Sequence, residues 1–135
     1  MSGPPAGLLD TSVFIARESG RALAPLPDRV AISVVTIGEL QLGVLATEDA
    51  DRRARRADTL ALARKADPIP ITDPVMVAWA HLVRDCRAAG IHRTVRLTDA
   101  LIAATAVQHG LPVVSQDEDF AAIAAAHRPL AVVDV

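Results

Sequence analysis

The 135 residues suffice for one domain with a real hydrophobic core and are too few for two comfortable ones. Apolar residues make up 51% and aromatics only 2%, so the core has to be built from Ala, Val, Leu and Ile, and no apolar run approaches the roughly 20 residues of a membrane helix. The formal charge of −2 offers no basic surplus of the kind nucleic-acid binders carry, and the single cysteine, Cys86, excludes an internal disulfide and a cysteine-based metal cluster.

Positions 7–10, GLLD, read as a short strand ending in Asp10, and TSVFIAR then begins a helix. Positions 30–35, VAISVV, form an apolar run without helical periodicity, followed by TIGELQLGVLA with Thr36 as a candidate N-cap. Positions 49–66 predict a long amphipathic helix, PIPIT a short strand or extended link, and positions 74–89 a helix opened by Pro74 and stopped by Gly90. A further helix is expected over 98–109, with Thr98 as N-cap and Gly110 as its stop. LPVVS reads as a strand, 117–126 as a short helix and LAVVDV as a closing strand. Strand and helix alternate, which argues for one α/β domain over 1–135: a central parallel sheet of about four to five strands flanked by helices on both faces. The opening MSGPPAG is neither a basic nor a hydrophobic signal region, and a lone thiol suits a reducing compartment, so a cytoplasmic protein is expected.

In VVSQDEDF, Asp117, Glu118 and Asp119 directly follow the end of an apolar strand, and adjacent acids there repel one another unless something positive lies between them. Asp10 and Asp117 fall at carboxyl ends of strands, and Glu39 in the first turn of the helix after one; open α/β sheets bind ligands at that edge. Asp99, at the first position of its helix, can point into the same crevice. Each acid has a local explanation as well. Thr36 to Glu39 matches a capping box, Asp10 can cap the helix that follows it, and Asp99 and Asp117 suit the positive end of a helix dipole. Taken together, carboxylates from four separated segments at one end of a domain favour a site for a hard cation such as Mg²⁺ or Mn²⁺.

With Asp10, Glu39, Asp99, Asp117 and Asp119 set aside in one pocket, the rest of the chain holds eleven acids against fourteen bases. Those bases bunch at Arg52, Arg53, Arg55 and Arg56 and again around Arg93 and Arg96. They read either as solvated helix faces or as a rim facing RNA phosphates.

LLDTSVFIA, SVVTIGELQLGV and LTDALIAATAVQHGLPVVSQDEDF, in this order and spacing, resemble the PIN-domain ribonucleases, and in particular the VapC-type toxins of toxin–antitoxin pairs. The resemblance implies a PIN-like three-layer fold and an endoribonuclease that cuts structured RNA, tRNA or rRNA, with metal-activated water. It places the catalytic carboxylates at Asp10, Glu39, Asp99 and Asp117, with Asp10, Asp99 and Asp117 holding metal and Asp119, Thr11 and Ser115 as auxiliary groups. It also implies a cognate antitoxin and a homodimer, or a hetero-oligomer with the antitoxin. Aliphatic helix faces around Ile15, Leu40 and Val44 are candidates for what a partner covers.

Other chemistries find little support. His81, His92, His109 and His127 show no zinc-ligand spacing, and no Gly-rich phosphate loop is present. DTSVF lacks the second aspartate of a haloacid-dehalogenase-type phosphatase, and the lone lysine, Lys65, is misplaced for a receiver domain. A non-catalytic nucleic-acid or protein interaction module on the same fold is the alternative.

Overall fold

A computed structural model describes residues 5–135; positions 1–4 of the opening stretch, read above for a signal region, lie outside the described residues. The chain runs β1 (Ala6–Leu9), α1 (Thr11–Glu18), β2 (Arg29–Ala31), α2 (Val34–Ala46), α3 (Ala50–Arg64), α4 (Asp73–Ala88), α5 (Leu97–Gln108), β3 (Val113–Ser115), α6 (Asp119–Ala126) and β4 (Val132–Asp134). Four parallel strands form one sheet in the order β2-β1-β3-β4. None of the described helices is long and apolar enough to cross a membrane.

Side-chain alternation along the two central strands sorts the core into layers. Leu8 and Val113, paired across β1 and β3, point to one face and pack with Leu82, Ile102, Phe120 and Ile123 of α4, α5 and α6. Their chain neighbours Leu9 and Val114, the next pair, point to the other face and pack with Val13, Phe14, Leu40 and Leu60 of α1, α2 and α3. Both faces of the sheet are thus covered, as continuous apolar strands such as GLL and VVS require. On α5, Ala100, Ala103, Ala104 and Ala106 are all buried. Their small side chains let the helix lie close against its neighbours, so a core with almost no aromatics still closes.

The close fit between β1 and β3 is testable. A Cβ added at Gly7 would lie 2.5 Å from Val114 Cγ2 and 3.1 Å from Pro27 Cγ. Gly7→Ala is therefore expected to cost about 1–3 kcal/mol through overpacking and to lower the melting temperature by several degrees. An unchanged melt would mean that this contact relaxes freely.

Several boundaries differ from expectation, each for a visible reason. The run over 30–35 is mostly not strand: Ser33 Oγ accepts the Val35 N–H at 3.0 Å and starts α2 at Val34, which puts Thr36 inside the helix. The PIPIT link does extend the sheet edge, through a single parallel bridge between Ser33 and Ile69. Arg96, not Thr98, holds the N-cap position of α5, so Asp99 is its third residue rather than its first. Asp10 lies one residue beyond β1, and Asp117 lies in the turn before α6 rather than within it. The aliphatic face expected around Leu40 and Val44 is largely core: Leu40 is buried and Val44 half-buried, while Leu42 and Leu45, with Ile15, are the exposed aliphatics there.

Candidate active site

The carboxyl ends of β1 and β3, the two central strands, deliver Asp10 and Asp117 side by side. The first turn of α5 adds Asp99, and α2 adds Glu39 from its sixth residue. A cavity of about 350 Å³ is lined by all four, together with Thr11 and Arg96. Four segments separated in sequence thus contribute carboxylates to one hollow, at the sheet edge where parallel α/β folds bind ligands.

The capping explanations for Glu39 and Asp10 fail on geometry, while Asp99 and Asp117 keep their places at helix N-termini and make further contacts as well. Glu39 does not close a capping box: its Oε1 accepts a 2.7 Å hydrogen bond from Thr11 Oγ1 on α1. Asp10 occupies the N-cap position of α1 yet makes no side-chain cap bond. Its Oδ1 accepts from Ser12 Oγ at 2.6 Å and its Oδ2 from Ser115 Oγ at 2.9 Å. Asp99 likewise is no cap; the Arg96 guanidinium reaches both its oxygens, Nε to Oδ2 and Nη2 to Oδ1, each at 3.3 Å. Asp117 does one local job, accepting the Asp119 N–H at 3.0 Å through Oδ1.

Hydroxyls fix the scaffold of the site. Ser115 Oγ accepts the Asp117 N–H at 2.8 Å while donating to Asp10. Ser12 Oγ accepts the Gln116 N–H at 3.0 Å while donating to the other oxygen of Asp10. These two serines tie the β1–α1 and β3–α6 junctions together around one carboxylate.

The electrostatics are those of crowded acids with partial relief. Burial pushes the Asp10 carboxyl up to about 6, against the pull of the two serine hydroxyls, and the charges of Asp117 and Asp99 add to the rise. Burial also raises Asp99; Arg96 draws it down, while Glu39 and Asp117 push it further up. Arg96 is in turn held above its ordinary range by Asp99.

Asp99, Asp117 and Asp119 each bring a carboxylate oxygen within 4.8 Å of the others, the only such trio of candidate metal ligands among the described residues. Asp10 and Glu39 line the cavity with Asp99 and Asp117 without joining that trio; both oxygens of Asp10 and Oε1 of Glu39 accept from hydroxyls. The donors are all hard oxygens, the set that Mg²⁺ and Mn²⁺ prefer.

The expected basic rim divides. Arg96 sits inside the acidic cavity, Arg52, Arg55 and Arg56 line a neighbouring one, Arg53 is turned away to bond the Thr47 carbonyl, and Arg93 lines neither. Ser12 is the residue that sequence reasoning passed over. Its signal was the DTS triplet at a strand–helix junction, where a hydroxyl two residues past an acid can reach back to it.

The model of the PIN domain matches residues 7–126, a span that contains every acid of the cavity. The chain belongs to the PIN-domain family. Among relatives of this PIN domain, ribonuclease VapC8 of Mycobacterium tuberculosis is 71% identical over 100 residues, which cover 74% of this chain and 89% of the relative. Ribonuclease VapC4 of the same organism is 46% identical over 121 residues, 86% of this chain and 89% of the relative. Among solved structures, VapBC-5 from M. tuberculosis, a member of the VapBC family of toxin–antitoxin systems, superposes with a TM-score of 0.85 at 41% identity, over 98% of this chain and 100% of that one. The three-layer arrangement around a four-stranded parallel sheet is accordingly the PIN-like α/β fold expected from the sequence.

Proposed function

We propose that this PIN domain is a metal-dependent endoribonuclease toxin that cuts structured RNA, tRNA or rRNA, by hydrolysis and is held inactive by a cognate antitoxin. The observation that carries this reading is the meeting of Asp10, Glu39, Asp99 and Asp117 in one cavity, two of which, Asp99 and Asp117, lie close enough to the neighbouring Asp119 for the three to share a cation. Relatives named as ribonucleases and a solved toxin–antitoxin structure support it.

Asp99, Asp117 and Asp119 would hold the ion, Mg²⁺ or Mn²⁺. A divalent cation bound there makes a water more acidic and neutralises charge on the phosphate. Asp10, buried with its two serine donors, sets the spacing of the two strand ends and so of Asp117. Thr11 orients Glu39, whose Oε2 has no side-chain partner among the described residues and would take a proton from the attacking water. Arg96 relieves part of the charge on Asp99 and stands where an incoming phosphate would meet it. Phe14 and Phe120 are buried and Trp79 is half-buried, so base stacking has little to work with and backbone charge and RNA shape select the substrate. Ile15 and Leu42, 46% and 67% exposed, line the cavity, and with Leu45, exposed on α2 beyond it, they are the aliphatic surface that the antitoxin would cover. A homodimer in the cytoplasm, with its single buried thiol kept reduced, completes the proposal.

Purified protein with Mn²⁺ and a panel of tRNAs and rRNA fragments tests it. Water attack should leave 5′-phosphate and 3′-hydroxyl ends, and EDTA should stop the reaction. Cyclic phosphate ends or full activity in EDTA would refute the hydrolytic, metal-dependent reading, and binding without cleavage would favour a non-catalytic interaction module.

A further inference from the structure

A second cavity, of about 430 Å³, opens beside the acidic one and shares Thr11, Ile15, Glu39 and Gly43 with it. Its outer wall is α3, where Arg52, Arg55 and Arg56 stand at the i, i+3, i+4 spacing that places three side chains on one helix face. Their roles differ. Arg56 Nη1 donates a 2.6 Å hydrogen bond to the Gly43 carbonyl, which fixes α3 against α2 and sets the width of the groove. Arg52 and Arg55 are exposed and have no ion-pair partner among the described residues. Two acids line the cavity from α1 and α2, Glu18 accepting from Thr59 Oγ1 at 2.8 Å and Glu39 from Thr11, and the three arginines outnumber them. Arg53, between the three, points off this face to the Thr47 carbonyl.

On the other side of the acidic cavity the balance reverses. A third hollow, sharing Ser12 and Asp117 with the acidic one, carries Asp117, Glu118 and Asp119 against one arginine, Arg21. A polyanion crossing the site thus meets unpaired guanidinium groups on the α3 side; on the α6 side one divalent ion would offset only part of the charge of Asp99, Asp117 and Asp119, and Glu118 remains beside them against the single Arg21.

We infer that the enzyme grips its substrate on one side only: the groove between α1, α2 and α3 is a subsite for the RNA backbone flanking the scissile phosphate, with Arg52 and Arg55 as its phosphate contacts and Arg56 as a positioning residue. The inference rests on the ribonuclease reading and adds a direction to it. Nucleotides on one flank of the cleaved bond contribute to kcat/KM, and those on the other flank do not. Guanidinium groups suit phosphate oxygens through bidentate hydrogen bonding, and their contribution is salt-dependent.

The test uses a stem–loop RNA taken from whichever tRNA or rRNA of the panel is cleaved, with the cleaved bond in its single-stranded loop and the strand shortened stepwise on either side of that bond. Shortening one flank should lower kcat/KM roughly tenfold, and shortening the other by less than about twofold. In Arg52→Gln/Arg55→Gln the difference between flanks should vanish. Fluorescence anisotropy with Mg²⁺ and the cleavage-defective Asp99→Asn background should show RNA binding weakened roughly tenfold by the double change, with the salt slope reduced by about 1.4, that is 0.7 for each lost phosphate contact on a single strand. Arg64→Gln removes one charge from the same helix outside the groove and should do none of this. An unchanged melting temperature in the double variant shows that the fold survives. Equal sensitivity of both flanks, or a salt slope that the double change leaves alone, overturns the inference while wild-type cleavage stands. So does a variant that binds RNA normally and loses only affinity for an acidic protein partner. No cleavage by the wild type overturns this inference and the ribonuclease reading together.

Discussion

Replacing Asp99 by Asn is expected to lower RNA cleavage by roughly 10²-fold or more and, at the same time, to raise the melting temperature of the metal-free protein. Asn keeps the size of the side chain and removes one charge from a cavity where Asp10, Glu39 and Asp117 face it. The charge is costly there, because burial together with Glu39 and Asp117 outweighs what Arg96 gives back and leaves the Asp99 carboxyl above its ordinary range. The lost ion pair costs little in return, since the Arg96 side chain is 62% exposed and is solvated without a partner. Net relief on the order of 1 kcal/mol corresponds to a gain of a few degrees in a domain of this size. Added Mg²⁺ or Mn²⁺ should then stabilise the wild type more than Asp99→Asn, because binding to the folded state alone adds to its stability. Thermal melts of both proteins, with and without the metal, decide the matter. An aspartate serving only the dipole of α5 would behave in the opposite way: its loss would slightly destabilise the fold and spare activity, and an equal metal shift in the two proteins would sink the shared site.

The acids could be read from the sequence because strand ends and helix starts locate residues along the chain even where boundaries slip by one or two positions. GLLD and VVSQD each end an apolar run with an acid, and in a parallel sheet those ends lie at one edge. That edge is common to both strands whether Asp10 is the last residue of β1 or the first one past it. What the sequence did not disclose is which hydroxyl and which cation serve which acid. Thr36 and Glu39 match a capping box on paper, yet Ser33 takes the cap and Thr11 takes Glu39. The competition is decided by how α1 and α2 lean on each other, which no local pattern encodes. Arg96 read as rim because basic residues are usually solvated; its place beside Asp99 follows from the i, i+3 geometry at the start of α5 once that helix begins one residue before Thr98. Leu40 misled for a similar reason, since α2 is apolar almost all round and its periodicity does not distinguish the face on α3 from the face left open at Leu42 and Leu45.

Metal-free protein is expected to become more stable as pH falls from about 7.5 to about 5, the reverse of the usual acid response. The sign follows from Asp10. Its folded-state carboxyl titrates at about 6 against an ordinary value of 3.8, so between those two values the folded chain holds a proton that the unfolded chain has released. Stability then rises as pH falls through 6 and levels off below the unfolded value, with a ceiling on the order of 2–3 kcal/mol for a shift of this size. Asp99, also raised, acts in the same direction. Asp85 acts in the other: its bond to His127 Nδ1, at 2.7 Å, lowers its carboxyl, so its contribution is lost only as pH drops below the ordinary carboxylate range, outside this window. Saturating Mg²⁺ should invert the trend, because ligands must be deprotonated to bind and protons then compete with the metal. Asp10→Asn in EDTA should melt higher than the wild type at pH 7.5 and lose most of the pH dependence. Melts in EDTA at half-unit steps provide the measurement, and a melting temperature that falls steadily from pH 7.5 to 5 in the wild type would show that Asp10 is not the buried, crowded carboxylate on which the acidic cavity is built.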